Sequence, residues 1–416
     1  MLLHLQSAFG ICVIVVAAWA LSEDRRAFPW RTVAAGLVLQ AALALFLLKV
    51  GMARDGLLAL NGAVDALTGA TRAGTSFVFG FVGGGAAPFA VTNPAGMVSF
   101  AFGILPLVIV ISALSALLWH WRILPVIVKA FAFALRKLMG IGGAVGLGAA
   151  ATIFLGMVEA PLLIRPYLSR LSRGELFILM TVGLASVAGT VFFLYASILK
   201  DVVPGALGHI LIASMMSLPS AILVARIMIP GEGGVATTSA SDLKYRSSMD
   251  AVARGTEDGL KIYLQILAML IVMVALVALA DTILRSLPPV WGAPLSLERM
   301  FGWLFAPVVW LFGVPADQAA TAGSLMGTKT ILNELVAYLN LAALPKGALD
   351  PRSTLIMIYA MCGFANLGSV GIMIAGMSTL MPERRDEIVP LAMRAIVSGT
   401  MASGLTGAMI GLLPVI

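Results

Sequence analysis

Eight stretches of this chain are each apolar over roughly the 20 residues a helix needs to cross a bilayer core. They are 2–21, 32–48, 97–121, 176–199, 202–225, 262–280, 353–381 and 395–416. A transmembrane β-barrel would need segments of about ten residues with alternating polarity, and these runs are too long and continuous for that. The fold class expected is therefore an all-α polytopic membrane protein. Composition agrees: 60% of the residues are hydrophobic and only 11% charged, with a mean hydropathy of +1.02, whereas soluble domains are about a quarter charged. The net charge of +7 is read as cytoplasmic loops enriched in Lys and Arg, not as a nucleic-acid surface. Cys12 and Cys362 both lie in apolar runs, so neither a disulfide framework nor a zinc-type spacing is available. The first apolar segment lacks a basic start and a small-residue cleavage site, so no cleavable signal peptide is expected.

Shorter pieces lie between the spans. Residues 51–72 set Leu57, Leu58, Leu60 and Val64 against Arg54, Asp55 and Asp65, the pattern of a helix lying in the interface. Residues 123–138, with Lys129, Arg136 and Lys137, read similarly. Residues 298–314 are apolar, short and proline-containing, and Gly83, Gly84, Gly85 and Pro88 mark a loop. Residues 231–258 form the one extended polar stretch, expected to be an exposed, mobile linker. Basic residues set the orientation: Arg25, Arg26 and Arg31; Arg165, Arg170 and Arg173; Lys244, Arg246, Arg254 and Lys261; Arg384 and Arg385. If all four groups are cytoplasmic, both termini are external. Eight spans satisfy that alternation only if 139–171 and 317–344 each enter and leave on one face, as re-entrant hairpins.

Those two segments form a weak internal repeat. Each has small residues, then a glutamate on a short piece: "GMVEAPLLIRPYL" with Glu159, and "GTKTILNE" with Glu334. Each is followed by a span interrupted by small and polar residues, "GLASVAGT" (183–190) with Ser186 and Gly189, and "CGFANLGSVG" (362–371) with Asn366, Gly368 and Ser369. A charge at the bilayer centre costs at least ~2.5–3.5 kcal/mol on insertion scales. Non-helical backbone is tolerated at that depth only inside protein or along a wet cavity. Two halves sharing so costly a pattern point to an inverted-repeat transporter with its site near the midplane. The alternative is that both glutamates cap helices at the membrane surface.

"GMVEAPLLIRPYL", "KTILNELVAY" and "CGFANLGSVGIMIAG" resemble the concentrative nucleoside transporters, which show G-Q-[TS]-E-A-P-L, K-x-x-x-N-E-F-V-A-Y and F-A-N-[FL]-S-S in that order. "GTSFVFG" and "GWLFAPVVWLFGVP" are similar to family segments too, so the resemblance spans nearly the whole chain. It implies about eight transmembrane helices, two re-entrant hairpins in an inverted repeat, interfacial helices, a homotrimer and elevator-type alternating access. The function implied is secondary active nucleoside import across a bacterial inner membrane. It assigns the ribose hydroxyls to Glu334, Asn366 and Ser369, with Phe364 as an apolar face and Val191 beside the substrate. A carboxylate and an amide suit vicinal hydroxyls, which they can meet as acceptor and donor. It also brings Met157, Val158 and Glu159 to the nucleobase. Here the chain departs from the family pattern: Met157 and Val158 replace a Gln and a Thr or Ser and cannot donate to a base edge. Base preference is expected to be relaxed or altered, leaving a related ribosylated compound as an alternative substrate.

For a coupling sodium ion the resemblance implies Thr152, Leu155, Ser186 and Val187, by side-chain hydroxyls and backbone carbonyls. Thr152 stands where sodium-coupled members carry Asn, so proton coupling through Glu159 is the alternative. No other cofactor is expected. Lys329, five residues before Glu334, is expected to pair with a carboxylate. Asp281 and Arg285 share a helix face at i,i+4 and mark a span end. His4, His120 and His209 are isolated. An enzyme using Glu159 and Glu334 as acid and base lacks a nucleophile or metal cluster, and a channel would need one continuous polar path. The organisation expected is 1–50, two scaffold helices; 51–96, interfacial helices; 97–138, a scaffold helix and an interfacial helix; and 139–230, the first hairpin with transport-region helices. It continues with 231–258, the cytoplasmic linker; 259–297, a scaffold helix; and 298–416, the second interfacial helix, second hairpin and last two helices.

Overall fold

In the computed structural model, residues 2–49, 51–91, 99–231, 245–290 and 292–414 are described, excepting the side chains of 2, 51–61 and 63. Helices account for nearly all of the structure, and no strand occurs among the described residues. The chain begins with α1 (Leu2–Ala20), α2 (Trp30–Lys49), α3 (Gly51–Phe79), α4 (Leu107–His120) and α5 (Ile123–Met139). Then come the short helices α6 (Gly143–Ala151), α7 (Glu159–Leu162) and α8 (Arg165–Leu168). Next are α9 (Arg173–Ala185), α10 (Gly189–Leu199), α11 (Ala206–Met228), α12 (Ser248–Arg285) and α13 (Leu297–Leu311). The last part holds α14 (Ala319–Ile331), α15 (Glu334–Ala343), α16 (Pro351–Met361), α17 (Leu367–Leu380) and α18 (Arg385–Leu412).

Among the described residues, seven helical stretches are long and apolar enough to cross a membrane, one of them composed of α9 and α10 together. The eighth expected span, 353–381, is divided into α16 and α17 at the segment the sequence marks with Cys362, Gly363 and Asn366. The hairpin limbs cannot cross. At 1.5 Å per residue α6 reaches about 14 Å and α14 about 20 Å, against a hydrocarbon core of about 30 Å.

Two expectations change, and a third holds with an added contact. The polar linker does not extend to 258: residues 232–244 lie outside the described residues, and from Ser248 the chain is helical. Ser247 caps that helix by accepting the Asp250 N–H at 3.1 Å. Two i,i+4 ion pairs follow, Asp250 with Arg254 at 3.1 Å and Glu257 with Lys261 at 2.8 Å. The polarity that reads as a linker is the solvated first turns of α12. The helix expected over 51–72 runs on to Phe79, with Val64 buried and Asp65 exposed; the expected face of Arg54, Asp55, Leu57, Leu58 and Leu60 lies outside the described side chains. Asp281 and Arg285 mark the end of α12 as expected, and Asp281 Oδ1 also accepts the Leu297 N–H at 2.8 Å, tying α12 to α13.

The helices sort into two packing groups. α9 with α10 and α11 are 89% and 83% buried over their apolar windows, whereas α12 is 6% buried. α11, α16 and α18 pack on one another, and α1 and α2 lie on α18 and α11. α12 instead packs on α4. That contact is close because Gly255 and Gly259 face α4: a Cβ on Gly255 would stand 2.7 Å from Ala116 Cβ and 2.8 Å from Ser112 O. One polar end is also fastened by charge. Glu23, in the α1–α2 loop, accepts from Arg173 of α9 at 2.9 Å and from Arg394 of α18. The Arg173 guanidinium hydrogen-bonded to Glu23 holds its carboxyl below the usual carboxylate range.

Gly255→Val is expected to destabilise the protein by about 1–3 kcal/mol through overpacking. The check is a thermal-shift measurement in detergent, with Gly69→Ala, which meets nothing within 4 Å, as the unchanged control. An unaltered melting temperature for Gly255→Val means that α4 and α12 are not in this contact.

Candidate functional site

Both glutamates sit where helices are broken. In the first hairpin α6 ends at Ala151, and the chain turns through 152–158 before α7 starts at Glu159. In the second, α14 ends at Ile331 and Asn333 caps α15, its Oδ1 accepting the Val336 N–H at 2.9 Å. Glu334 is then the first residue of α15, where the helix dipole favours a negative charge. The interrupted spans behave alike. α9 ends at Ala185 and α10 starts at Gly189, while α16 ends at Met361 and Asn366 caps α17 by accepting the Ser369 N–H at 2.8 Å. The two breaks cross: Phe364 N–H donates to Ser186 O at 3.2 Å. Gly363 lies so close to the first break that a Cβ there would be 2.6 Å from Ala185 O.

Glu334 is buried and already held at both oxygens. Tyr195 OH donates to Oε1 at 2.6 Å, and Asn366 Nδ2 donates to Oε2 at 3.2 Å. Tyr195 stacks obliquely on Tyr338, with ring centroids 5.1 Å apart, and Tyr338 OH donates to Ile358 O at 2.9 Å. A carboxylate has about four lone-pair directions, so two hydrogen bonds leave it able to accept from a ligand.

A cavity of about 260 Å³ opens onto this cluster. It brings together all eight residues the sequence singles out for substrate. Met157, Val158, Glu159 and Val191 line it from the first hairpin and α10, and Glu334, Phe364, Asn366 and Ser369 from the second half. Met157 lies against α9, where a Cβ on Gly183 would be 2.9 Å from its Cβ. Val158 covers Gly376 of α17 as closely, at 2.7 Å to its Cγ1. The far wall belongs to α4 and α12 and includes Ser112, Trp119, Asp258 and Gln265.

The four residues named for the ion are close but differently occupied. Thr152 Oγ1 donates to Ala149 O at 2.7 Å and Ser186 Oγ to Val182 O at 2.8 Å, with 3.4 Å between the two hydroxyl oxygens. Val187 O accepts from Ser214 at 3.4 Å, and Leu155 lines the cavity. Both hydroxyls keep oxygen lone pairs for a hard cation. Lys329 makes no ion-pair contact among the described residues, its buried Nζ lying 3.5 Å from Ser403 Oγ, but it acts electrostatically on Glu334, the carboxylate that its spacing names. Site residues that sequence reading missed include Tyr195 and the wall of α4 and α12. A lone Tyr in an apolar span carries no positional signal, and the polar start of α12 resembles a loop.

Comparison with known proteins accounts for this arrangement. The chain matches the Na+ dependent nucleoside transporter family at its N-terminal region over residues 9–82 and its C-terminal region over 209–411, with a nucleoside recognition region over 101–202 between them. It is 34% identical to the nucleoside permease NupC of Helicobacter pylori, over 98% of this chain and 97% of that one. It is 30% identical to the rat sodium/nucleoside cotransporter 1, over 99% of this chain and 64% of the rat protein. Among solved structures, CNTnw in an inward-facing substrate-bound state is 35% identical, with a TM-score of 0.89 and 98% of each chain covered. The same transporter in an outward-facing state is 33% identical, also with a TM-score of 0.89, covering 99% of this chain and 98% of that one. The chain belongs to the concentrative nucleoside transporter family; it is an all-α, multi-pass membrane transporter and not an enzyme.

Tyr195→Phe removes one charge-assisted donor from Glu334, an interaction worth about 1.5–3 kcal/mol. The expected result is a KM for ribonucleosides raised about tenfold or more, with a smaller change for analogues lacking the ribose hydroxyls. An equal change for both would place Tyr195 outside the Glu334 site.

Proposed function

We propose that this protein imports nucleosides across a bacterial inner membrane as a cation-coupled symporter of the elevator type. The observation carrying this reading is the Glu334–Asn366 pair, oriented by Tyr195 and opening on a cavity. Glu334 accepts from a ribose hydroxyl, the Asn366 amide and Ser369 hydroxyl complete the hydrogen bonding, and Phe364 covers the apolar face. Met157, Val158, Glu159 and Val191 surround the base. With two apolar side chains there, hydrogen-bonded discrimination between bases is weak on that side, which keeps a related ribosylated compound within the same reading.

The moving body is assigned to both hairpins with α9, α10, α11 and α16 to α18. The sequence organisation puts residues 1–50 in the static scaffold, but α1 and α2 pack on α18 and α11, which supports moving them with the transport body. α4 and α12 serve as the frame. The exposed apolar surface of α12, with Leu264, Ile271, Leu276 and Ile283, suits lipid and neighbouring copies in a homotrimer. Sodium is the preferred coupling ion, held by the Thr152 and Ser186 hydroxyls with carbonyls of Leu155 and Val187. A proton is the second reading. It is favoured by the absence of an amide at Thr152 and by Glu159, a titratable group exposed to the cavity.

Uptake of a nucleoside panel into proteoliposomes tests the function. Glu334→Gln is expected to lower uptake efficiency tenfold to over a hundredfold, from the loss of about 1.5–3 kcal/mol at a buried acceptor. Near-normal uptake by that variant removes Glu334 from the site. Imposing sodium and proton gradients separately decides the coupling. Sodium coupling gives uptake that depends on external sodium at fixed pH and weakens in Thr152→Val and Ser186→Ala. Sodium-independent uptake that is stimulated by external acid and lost in Glu159→Gln establishes the proton reading instead.

A further inference from the structure

α12 presents one continuous face to the cavity: Gly255, Asp258, Ile262, Gln265, Ile266 and Met269, at the three- and four-residue spacing of a helix side. Its two ends are located by their neighbours. Asp258 acts electrostatically on Glu159, at the base side of the first hairpin. Met269 touches the ribose side: a Cβ on Gly368, between Asn366 and Ser369, would be 3.2 Å from Met269 Cε. At 1.5 Å per residue, Gln265 lies about 10 Å along the helix from Asp258 and about 6 Å from Met269, between the two. Gln265 and Tyr263 are the polar side chains of 262–280. Tyr263 is engaged by Ala101 O at 3.3 Å. Gln265 is exposed in the cavity wall and forms no hydrogen bond among the described residues. An amide inside a membrane span is costly unless a wet cavity or a partner receives it, and here it lines the same cavity as Met157 and Val158, which cannot hydrogen-bond a base through their side chains.

We propose that Gln265 reads the nucleobase edge from the α12 wall, supplying the donor and acceptor that the first hairpin lacks. This rests on the nucleoside reading above. A carboxamide both donates and accepts, so it discriminates keto from amino base edges, and such contacts discriminate more strongly than apolar surface. Its partner is the base alone, so the ribose requirement set by Glu334 is independent of it.

The test is competition by uridine, cytidine, adenosine, inosine and guanosine against labelled nucleoside uptake, in wild type and in Gln265→Leu. Replacing an amide by an apolar side chain in an apolar helix favours insertion, so the variant is expected in the membrane. The ratio of inhibition constants between best and worst competitor should fall about five- to tenfold, while discrimination against 3′-deoxynucleosides stays as in wild type. Gln265→Asn, which keeps the amide but withdraws it by one methylene, should give an intermediate ratio. An unchanged ratio in Gln265→Leu overturns the proposal, as does a parallel loss of ribose discrimination. If wild type carries no nucleoside at all, it is the function that fails; if it does and only the ratio is unmoved, Gln265 alone is excluded.

Discussion

The crossing of two unwound segments is the constraint on which the rest of this structure depends. A backbone break inside a bilayer frees N–H and C=O groups, and each costs several kcal/mol if nothing accepts it. Here the breaks between α9 and α10 and between α16 and α17 lie against each other, joined by the Phe364 N–H to Ser186 O bond. Gly363 is required for that approach, since any side chain would enter the Ala185 carbonyl. Each break also satisfies part of its own backbone, Asn366 taking the Ser369 N–H and Ala188 O receiving the Val191 N–H at 3.0 Å.

The crossing has an electrostatic consequence. α7, α10, α15 and α17 all begin beside the cavity, at Glu159, Gly189, Glu334 and Leu367. For α10, α15 and α17, the N-terminal ends bring partial positive charge to the site. That is the setting in which a carboxylate is tolerated at membrane depth, and it is repeated in both halves because the halves are built alike. Glu334 therefore belongs at a helix start for the same reason that a capping acid does in water, with more at stake because solvent cannot substitute.

Most of this was legible in the sequence because it is written in punctuation. Proline, glycine and serine inside apolar runs mark the breaks, and a glutamate after uncharged residues marks the hairpin tip. Hydropathy located the seven helical stretches long enough to cross, and it also marked 353–381, which the structure divides into α16 and α17. What was not legible depended on contacts remote in sequence. Tyr195 reaches Glu334 across 139 residues, and nothing around it distinguishes it from a packing tyrosine. The start of α12 carries its charges at i,i+4, a helical pattern, but small and polar residues there weigh equally toward a loop. Lys329 acts electrostatically on Glu334 as its spacing suggests, but makes no ion-pair contact with it, because that spacing crosses the α14–α15 break, where helical registers no longer relate side chains.

Glu334 has partners before any ligand arrives, and that bears on how selective the site can be. A free carboxylate in a buried cleft would rotate among rotamers and must be ordered when the ligand binds. Tyr195 and Asn366 fix both oxygens, so a hydroxyl that approaches meets an acceptor already aimed. The end formed by the first hairpin is built differently: Met157 and Val158 are wedged against Gly183 and Gly376, shape-complementary but silent in hydrogen bonding through their side chains. One cavity thus joins a preorganised polar end to an apolar one. On the proposed reading, the polar end is the part that would recognise a constant portion of the ligand, and the apolar end would tolerate variation unless the opposite wall adds direction. Since that wall is α12, whose main packing partner is α4, any direction it adds depends on how α4 and α12 stand against the rest of the cavity.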